Sequence, residues 1–226
     1  MTPDEFVARL RAEGEKRYHD RHPFHLAMHE GKLSRAQIQA WVANRWYYQT
    51  RIPIKDAIIL SKSDDPAFRR VWMRRIVDHD GAREGEGGLA QWLRLAKGVG
   101  LDEAEVKSLA RVLPGVRFAC DAYVTLVRER PLVEAVASSL TEFFSPDIMS
   151  KRIAAWEKHY PWVDADTLAY FRGRVARARE DSREAIDFVL ANATTPESHE
   201  RCIAALIAKT EILWALLDAV ALAHPA

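Results

Sequence analysis

Several charged side chains of this 226-residue sequence share a helical face with apolar neighbours. Spacings of three, four and seven bring residues together on a helix. Arg45 has Ile38, Trp41, Val42, Tyr48 and Ile52 at such spacings, with Gln49 one turn further on. Lys209 is flanked by Leu206, Ile212 and Leu213, His79 lies on the face of Trp72 and Ile76 with Arg75 one turn before, and Arg174 follows Tyr170 and Phe171. Burying an unpaired cation costs several kcal/mol, so each of these needs a carboxylate partner or an anionic ligand. If buried acids such as Glu142 pair with them, the cations only hold the protein together. If they converge on one cavity, they bind an anion.

Other chemistries find little support. His19, His22, His25 and His29 crowd one segment, but Pro23 interrupts their spacing and no carboxylate accompanies them, so no metal site is expected. The chain lacks a Glu-x-x-His pair, which argues against a di-iron bundle, and a G-x-S-x-G elbow. No pattern around Cys120 or Cys202 advertises a lowered thiol pKa, and both are expected in the core. Four glycines lie between Gly81 and Gly88, but this flexible-looking loop lacks the Lys-Ser/Thr ending of a phosphate loop. Trp41, Trp72, Trp92, Trp156 and Trp214 fall at helical spacing and are also expected in the core.

Positioning these side chains requires helices. Thr2-Pro3, Asp65-Pro66, Ser145-Pro146 and Thr195-Pro196 each place a small polar residue before a proline at a helix start, and Thr2/Glu5, Ser34/Gln37 and Asp102/Glu105 have the spacing of capping boxes. The pattern predicts helices over 3–17, 23–30, 35–62 with a bend at Pro53, 66–80, 87–98, 103–110, 115–129, 131–144, 146–159, 165–191 and 196–223, with Gly31 stopping the second. No strand-like alternation is sustained, so the fold class is all-α. With 48% hydrophobic and 29% charged residues and no linker-like segment, one helical bundle domain over 1–226 is expected. A net charge of +1 offers no footprint for nucleic acid or an anionic membrane. The apolar stretch from Ile212 to Ala223 is too short to cross a bilayer, and the first fifteen residues lack the apolar centre of a secretory leader. A cytoplasmic protein with a small-molecule partner is the expectation.

The segments WVANRWYYQTRIPIKDA (Trp41 to Ala57), RIVDHDG (Arg75 to Gly81), LPGVRFACDAY (Leu113 to Tyr123), ASSLTEFFSP (Ala137 to Pro146), HYPW (His159 to Trp162), YFRGR (Tyr170 to Arg174) and KTEILWALLDA (Lys209 to Ala219) resemble those of the pyrroloquinoline-quinone synthase (PqqC) family of the TENA/PqqC superfamily. The likeness spans nearly the whole chain in order. It implies a heme-oxygenase-like helical bundle, usually a homodimer. The implied activity is the last step of pyrroloquinoline quinone formation, in which a bicyclic quinone tricarboxylate precursor undergoes ring closure and eight-electron oxidation by O2, with release of hydrogen peroxide. Neither a metal nor an organic cofactor is implied.

Carried over by motif, the resemblance implies substrate contacts at Tyr18, Arg45, Gln49, Lys55, Arg75, Tyr123, Glu142 and Arg152. It implies catalytic roles for His79 as main general base, for Tyr170, Arg174 and Lys209 near the oxygen-reacting edge, and for His19. Arginine suits a tricarboxylate because its planar fork binds carboxylates bidentately. One departure is Met149, which stands where some members carry a second active-site histidine, one turn before Arg152. Methionine carries no proton, so either another residue such as His19 takes that role or the position is not essential. Three alternatives stand beside this resemblance. The first is a thiaminase-like hydrolase with Cys120 or Cys202 as nucleophile, the second a metal-dependent oxygenase with a Glu/His cluster, and the third a non-catalytic protein that stores or delivers the quinone.

Overall fold

Most helices begin where side chains satisfy the backbone N–H groups that a first turn leaves free. The computed structural model describes residues 1–225, leaving aside the side chain of Ala176; Ala226, the last residue of the expected domain, lies outside the described residues. Thr2 caps α1 (Pro3–Arg17) in a reciprocal capping box with Glu5. A short 3-10 segment (His19–Arg21) leads to α2 (Pro23–His29), where the His22 ring accepts the Phe24 N–H. Ser34 and Gln37 form the box that opens α3 (Arg35–Ser61), which runs through Pro53, and Asp65 accepts two N–H groups at the head of α4 (Pro66–Asp80). Then follow α5 (Gly87–Gly98), α6 (Glu103–Lys107), α7 (Pro114–Glu129), α8 (Leu132–Ser138), α9 (Ser145–His159), α10 (Ala169–Asn192) and α11 (Pro196–Ala223). No strand occurs among the described residues, and none of their helices is long and apolar enough to cross a membrane.

Four local expectations need correction. The helix expected over 131–144 ends at Ser138 and continues to Phe144 as a 3-10 segment (Ser139–Phe144). Ser145 caps nothing, because it lies inside α9 and Phe144 precedes it without a side-chain cap. Asp102 accepts the Glu105 N–H at 2.9 Å, but the Glu105 carboxylate pairs with Arg111 instead of returning to Asp102, so only half a box forms. The helix expected from 165 starts at Ala169, because Asp164 holds Thr167 in a turn through its N–H and hydroxyl at 2.7 and 2.6 Å.

Long α3 packs on α4, α5 and α7, α11 packs on α1, α7 and α8, and α10 packs on α9 and the second 3-10 segment. Apolar faces of these helices meet in a core around Trp41, Trp92, Trp156 and Phe171, and in a second around Phe6, Trp72 and Leu206. Trp214 does not join them; it is half-buried, edge-on to His22 at 4.8 Å. The glycine loop turns tightly at the end of α4. Gly81 and Gly87 adopt φ of +84° and +77°, and a Cβ on Gly87 would lie 2.6 Å from the His79 carbonyl oxygen. Glycine there lets α5 close against the turn that carries His79.

Candidate active site

Between these helices lies a partly enclosed cavity walled by charged, polar and aromatic side chains. Helical periodicity supplies its walls. Arg45, Tyr48, Gln49 and Ile52 come from one face of α3, Met149 and Arg152 from successive turns of α9, and Tyr170 and Arg174 from successive turns of α10. His79 enters from the last turn of α4, Tyr18 and His19 from the chain before α2, and Thr141 and Glu142 from the 3-10 segment before α9. The change from α-helix to 3-10 winding after Ser138 lies in the segment that delivers Glu142.

Nine of the residues named from the sequence line this cavity: Tyr18, His19, Arg45, Gln49, His79, Glu142, Arg152, Tyr170 and Arg174. Lys55, Arg75, Tyr123 and Lys209 do not; they stand behind the wall. Lys55 Nζ lies 2.7 Å from Asp56 Oδ1 and donates to Ser139 Oγ at 3.2 Å. Arg75 donates to Glu142 Oε2 at 2.8 Å and to the Asp181 carbonyl oxygen. Lys209, fully buried, donates to Tyr48 Oη at 2.9 Å and sits 3.3 Å from the centre of the Tyr123 ring. These four can act on a ligand only through Tyr48, Glu142 and the field of the site.

The cations therefore divide. Arg75, Arg174 and Lys55 have carboxylate partners, with Arg174 3.3 Å from Asp181. Arg45, Arg152 and Lys209 have none among the described residues, and instead face aromatic rings: Arg45 over Tyr48 at 3.9 Å, Arg152 over Trp41 at 4.8 Å. Six cations thus stand against three carboxylates, Asp56, Glu142 and Asp181, an excess of three positive charges when all are ionised. Trp41 Nε1, Arg45 Nη1 and Arg152 Nε are buried donors with no partner among the described residues. Each such donor costs roughly 1–3 kcal/mol, an arrangement that an anionic ligand would relieve.

The same surroundings set the protonation states. Burial, then the Arg174 charge, holds His79 well below the usual imidazole value, so its ring is neutral. Its Nδ1 lies 3.1 Å from the Arg75 carbonyl oxygen and must donate there, which leaves the Nε2 lone pair as the free site of a base. Burial alone would push Glu142 up, but Arg75, Lys55 and Arg174 outweigh it and hold the carboxyl below its ordinary value. Burial and then Arg45 press Lys209 well below a normal lysine and Arg152 down to about 9. The Tyr170 hydroxyl donates to Gln49 Oε1 at 3.1 Å.

Sequence reasoning missed His25, Trp41, Tyr48 and Thr141 in the cavity wall, and Asp56 and Asp181 behind it. Asp181 was readable in principle, two turns after Arg174 on the same face, and Tyr48 one turn after Arg45. The histidines of this segment take separate partners. His22 pairs with Asp218 at 3.0 Å, His25 Nε2 faces the Arg152 guanidinium, and the described residues contain no group of three His, Cys, Asp or Glu that could hold an ion. Cys120 and Cys202 are fully buried, and burial pushes both thiols up to about 12, so neither is poised as a nucleophile.

Residues 7–219 match the family model described as TENA/THI-4/PQQC. Over 220 residues the chain is 52% identical to a pyrroloquinoline-quinone synthase of Acidiphilium cryptum (strain JF-5), covering 97% of this chain and 89% of that one. It is 54% identical over 215 residues to the pyrroloquinoline-quinone synthase of Rhizobium meliloti (strain 1021), covering 95% of this chain and 84% of that one. Among solved structures, a domain of unknown function with a heme oxygenase-like fold from Shewanella denitrificans superposes with a TM-score of 0.78, at 12% identity over 100% of this chain and 97% of that one. A TenA homologue from P. horikoshii OT3 does so at 0.76, with 12% identity over 95% and 97%. Such low identity establishes the heme-oxygenase-like fold alone.

Proposed function

The chain belongs to the TENA/THI-4/PQQC family, and from that premise we propose that it performs the pyrroloquinoline-quinone synthase reaction, the oxidation by O2 that completes pyrroloquinoline quinone. The observation that carries this beyond its relatives' names is the charge of the cavity wall, where Arg45 and Arg152 have no carboxylate partner among the described residues and would meet carboxylates of a tricarboxylate precursor. Arg45, Arg152 and Arg174 line the space and orient the carboxylates. His79 Nε2 takes protons from substrate carbon, as its neutral ring and free lone pair allow. Each oxidation then passes two electrons and two protons from the reduced quinol to O2, giving quinone and hydrogen peroxide. Superoxide and peroxide character develop on oxygen during that transfer, and Arg174, with Lys209 acting through Tyr48, stabilises the growing negative charge without reorganising.

No metal or organic cofactor belongs to this proposal, because the reduced substrate is itself a quinol able to react with oxygen. A homodimer and a cytoplasmic location are also part of it, supported by the likeness to the family. The test is anaerobic mixing of the purified protein with the precursor, followed by oxygen. The expected result is the quinone spectrum with hydrogen peroxide. Tight binding of a precursor that oxygen leaves unchanged would make the protein a carrier instead.

A further inference from the structure

Arg152 has two polar contacts: Nη1 lies 3.8 Å from the Met149 sulfur and Nη2 lies 3.3 Å from His25 Nε2. A guanidinium has only donors, so His25 Nε2 must accept. Burial and the Arg152 charge hold His25 well below the usual imidazole value, so the neutral ring carries its proton on Nδ1. That N–H faces His19, 3.0 Å from its carbonyl oxygen and 3.2 Å from its Nδ1. His19 Nδ1 therefore accepts, and the His19 ring, also kept neutral by burial and by Arg45 and Arg152, carries its proton on Nε2. Reversing His25 would set Nε2–H against the Arg152 N–H and turn a lone pair toward the His19 carbonyl, two repulsive contacts in place of two bonds.

His79 is locked with the opposite polarity, its Nδ1–H donated to Arg75 and its Nε2 bare. Both rings line the cavity, and His19 Nε2 has no protein acceptor among the described residues. The cavity thus has a proton acceptor on α4 and a proton donor on the segment before α2. On the reading of this space as a tricarboxylate quinone site, we infer that His25 is a positioning residue: it locks His19 as an N–H donor to a carboxylate or quinone oxygen in the cavity that also holds the base His79. His25 touches the ligand's partners and needs no contact with reacting atoms. The lock depends on Arg152, so the same guanidinium that attracts a carboxylate also sets the polarity of His19.

The test reads tautomers in the full-length protein without ligand, by long-range ¹H–¹⁵N correlation spectra of ¹⁵N-histidine-labelled samples, with each ring assigned by substitution. Wild type should show His25 protonated at Nδ1 and His19 at Nε2. His25→Phe should return His19 to a mixture of tautomers, while His25→Asn, whose amide N–H stands where Nδ1–H stood, should keep it on Nε2. In turnover of the precursor, His25→Phe should lower kcat roughly 10- to 100-fold with a smaller change in KM, as loss of an orienting partner does, and Asn should recover most of it. A His19 proton on Nδ1 in wild type, or a His19 spectrum unchanged in His25→Phe, would overturn the lock whatever the activity. The wild-type pattern in a protein that does not oxidise the precursor would leave the lock standing and remove its role in that reaction.

Discussion

Replacing Arg152 by methionine should make the empty protein more stable and the site weaker. Arg152 is almost fully buried without a carboxylate, beside the charge of Arg45, and its depression to about 9 corresponds to roughly 5 kcal/mol against the charged form. Contacts with the Trp41 and Phe171 rings and the bond to His25 return part of this, about 2–3 kcal/mol together. Methionine fills a similar volume without charge, so the net gain should be about 2 kcal/mol, in line with the roughly 1–4 kcal/mol found when buried ionic groups give way to apolar ones. In a chain of this size that raises Tm by roughly 4–8 °C. Losing a buried charged partner for a carboxylate costs about 2–5 kcal/mol, hence a Kd for pyrroloquinoline quinone weaker by roughly 30-fold or more. Thermal unfolding with and without the quinone, beside a binding titration, measures both effects. A lower Tm for Arg152→Met, or an unchanged Kd, would refute the view of Arg152 as a strained cation held for an anionic ligand.

His79→Asn should still bind the precursor and accumulate a partly oxidised intermediate under oxygen, with turnover reduced roughly 100- to 10,000-fold; normal quinone production would move the base elsewhere. Lys209→Ala and Arg174→Ala should lower kcat more than they raise KM, and a loss confined to affinity would make them carboxylate clamps. His19, His25 and His79 are kept neutral in the folded state and take up protons near the ordinary imidazole value when unfolded, so stability should fall as pH drops below about 6.5. The slope approaches about 4 kcal/mol per pH unit for three such rings, partly offset below pH 6 by Asp181, which burial raises to about 6, and a Tm constant from pH 7 to 5 would contradict it. Cys120→Ala and Cys202→Ala should keep turnover, whereas loss of activity in a variant that remains folded would revive a thiol mechanism.

The helices and the faces they bury follow from the order of residues alone. Caps at Thr2, Ser34, Asp65 and Thr195 are local bonds between residues two or three apart, and the three- and four-residue spacing around Arg45 and Arg174 depends only on helix geometry. Both are written in the order of residues, so the fold class and the inward direction of the cations were legible in it. Whether Arg75, Arg152 and Lys209 find partners was not. Arg75 meets Glu142 from 67 positions away and Arg152 meets His25 from 127, while Lys209 finds Tyr48 across 161. Only the packing of α3, α4, α9, α10 and α11 decided that Arg75 is neutralised behind the wall and that Arg45 and Arg152 are not, whereas Lys55 and Arg174 meet Asp56 and Asp181 on their own helices. Protonation followed the same rule. His79 bonds Arg75 four residues before it and His25 bonds His19 six before, both local, whereas the burial that keeps the rings neutral and the Arg152 contact that orients His25 come from elements far apart in the chain, because charge and tautomer also respond to neighbours in space.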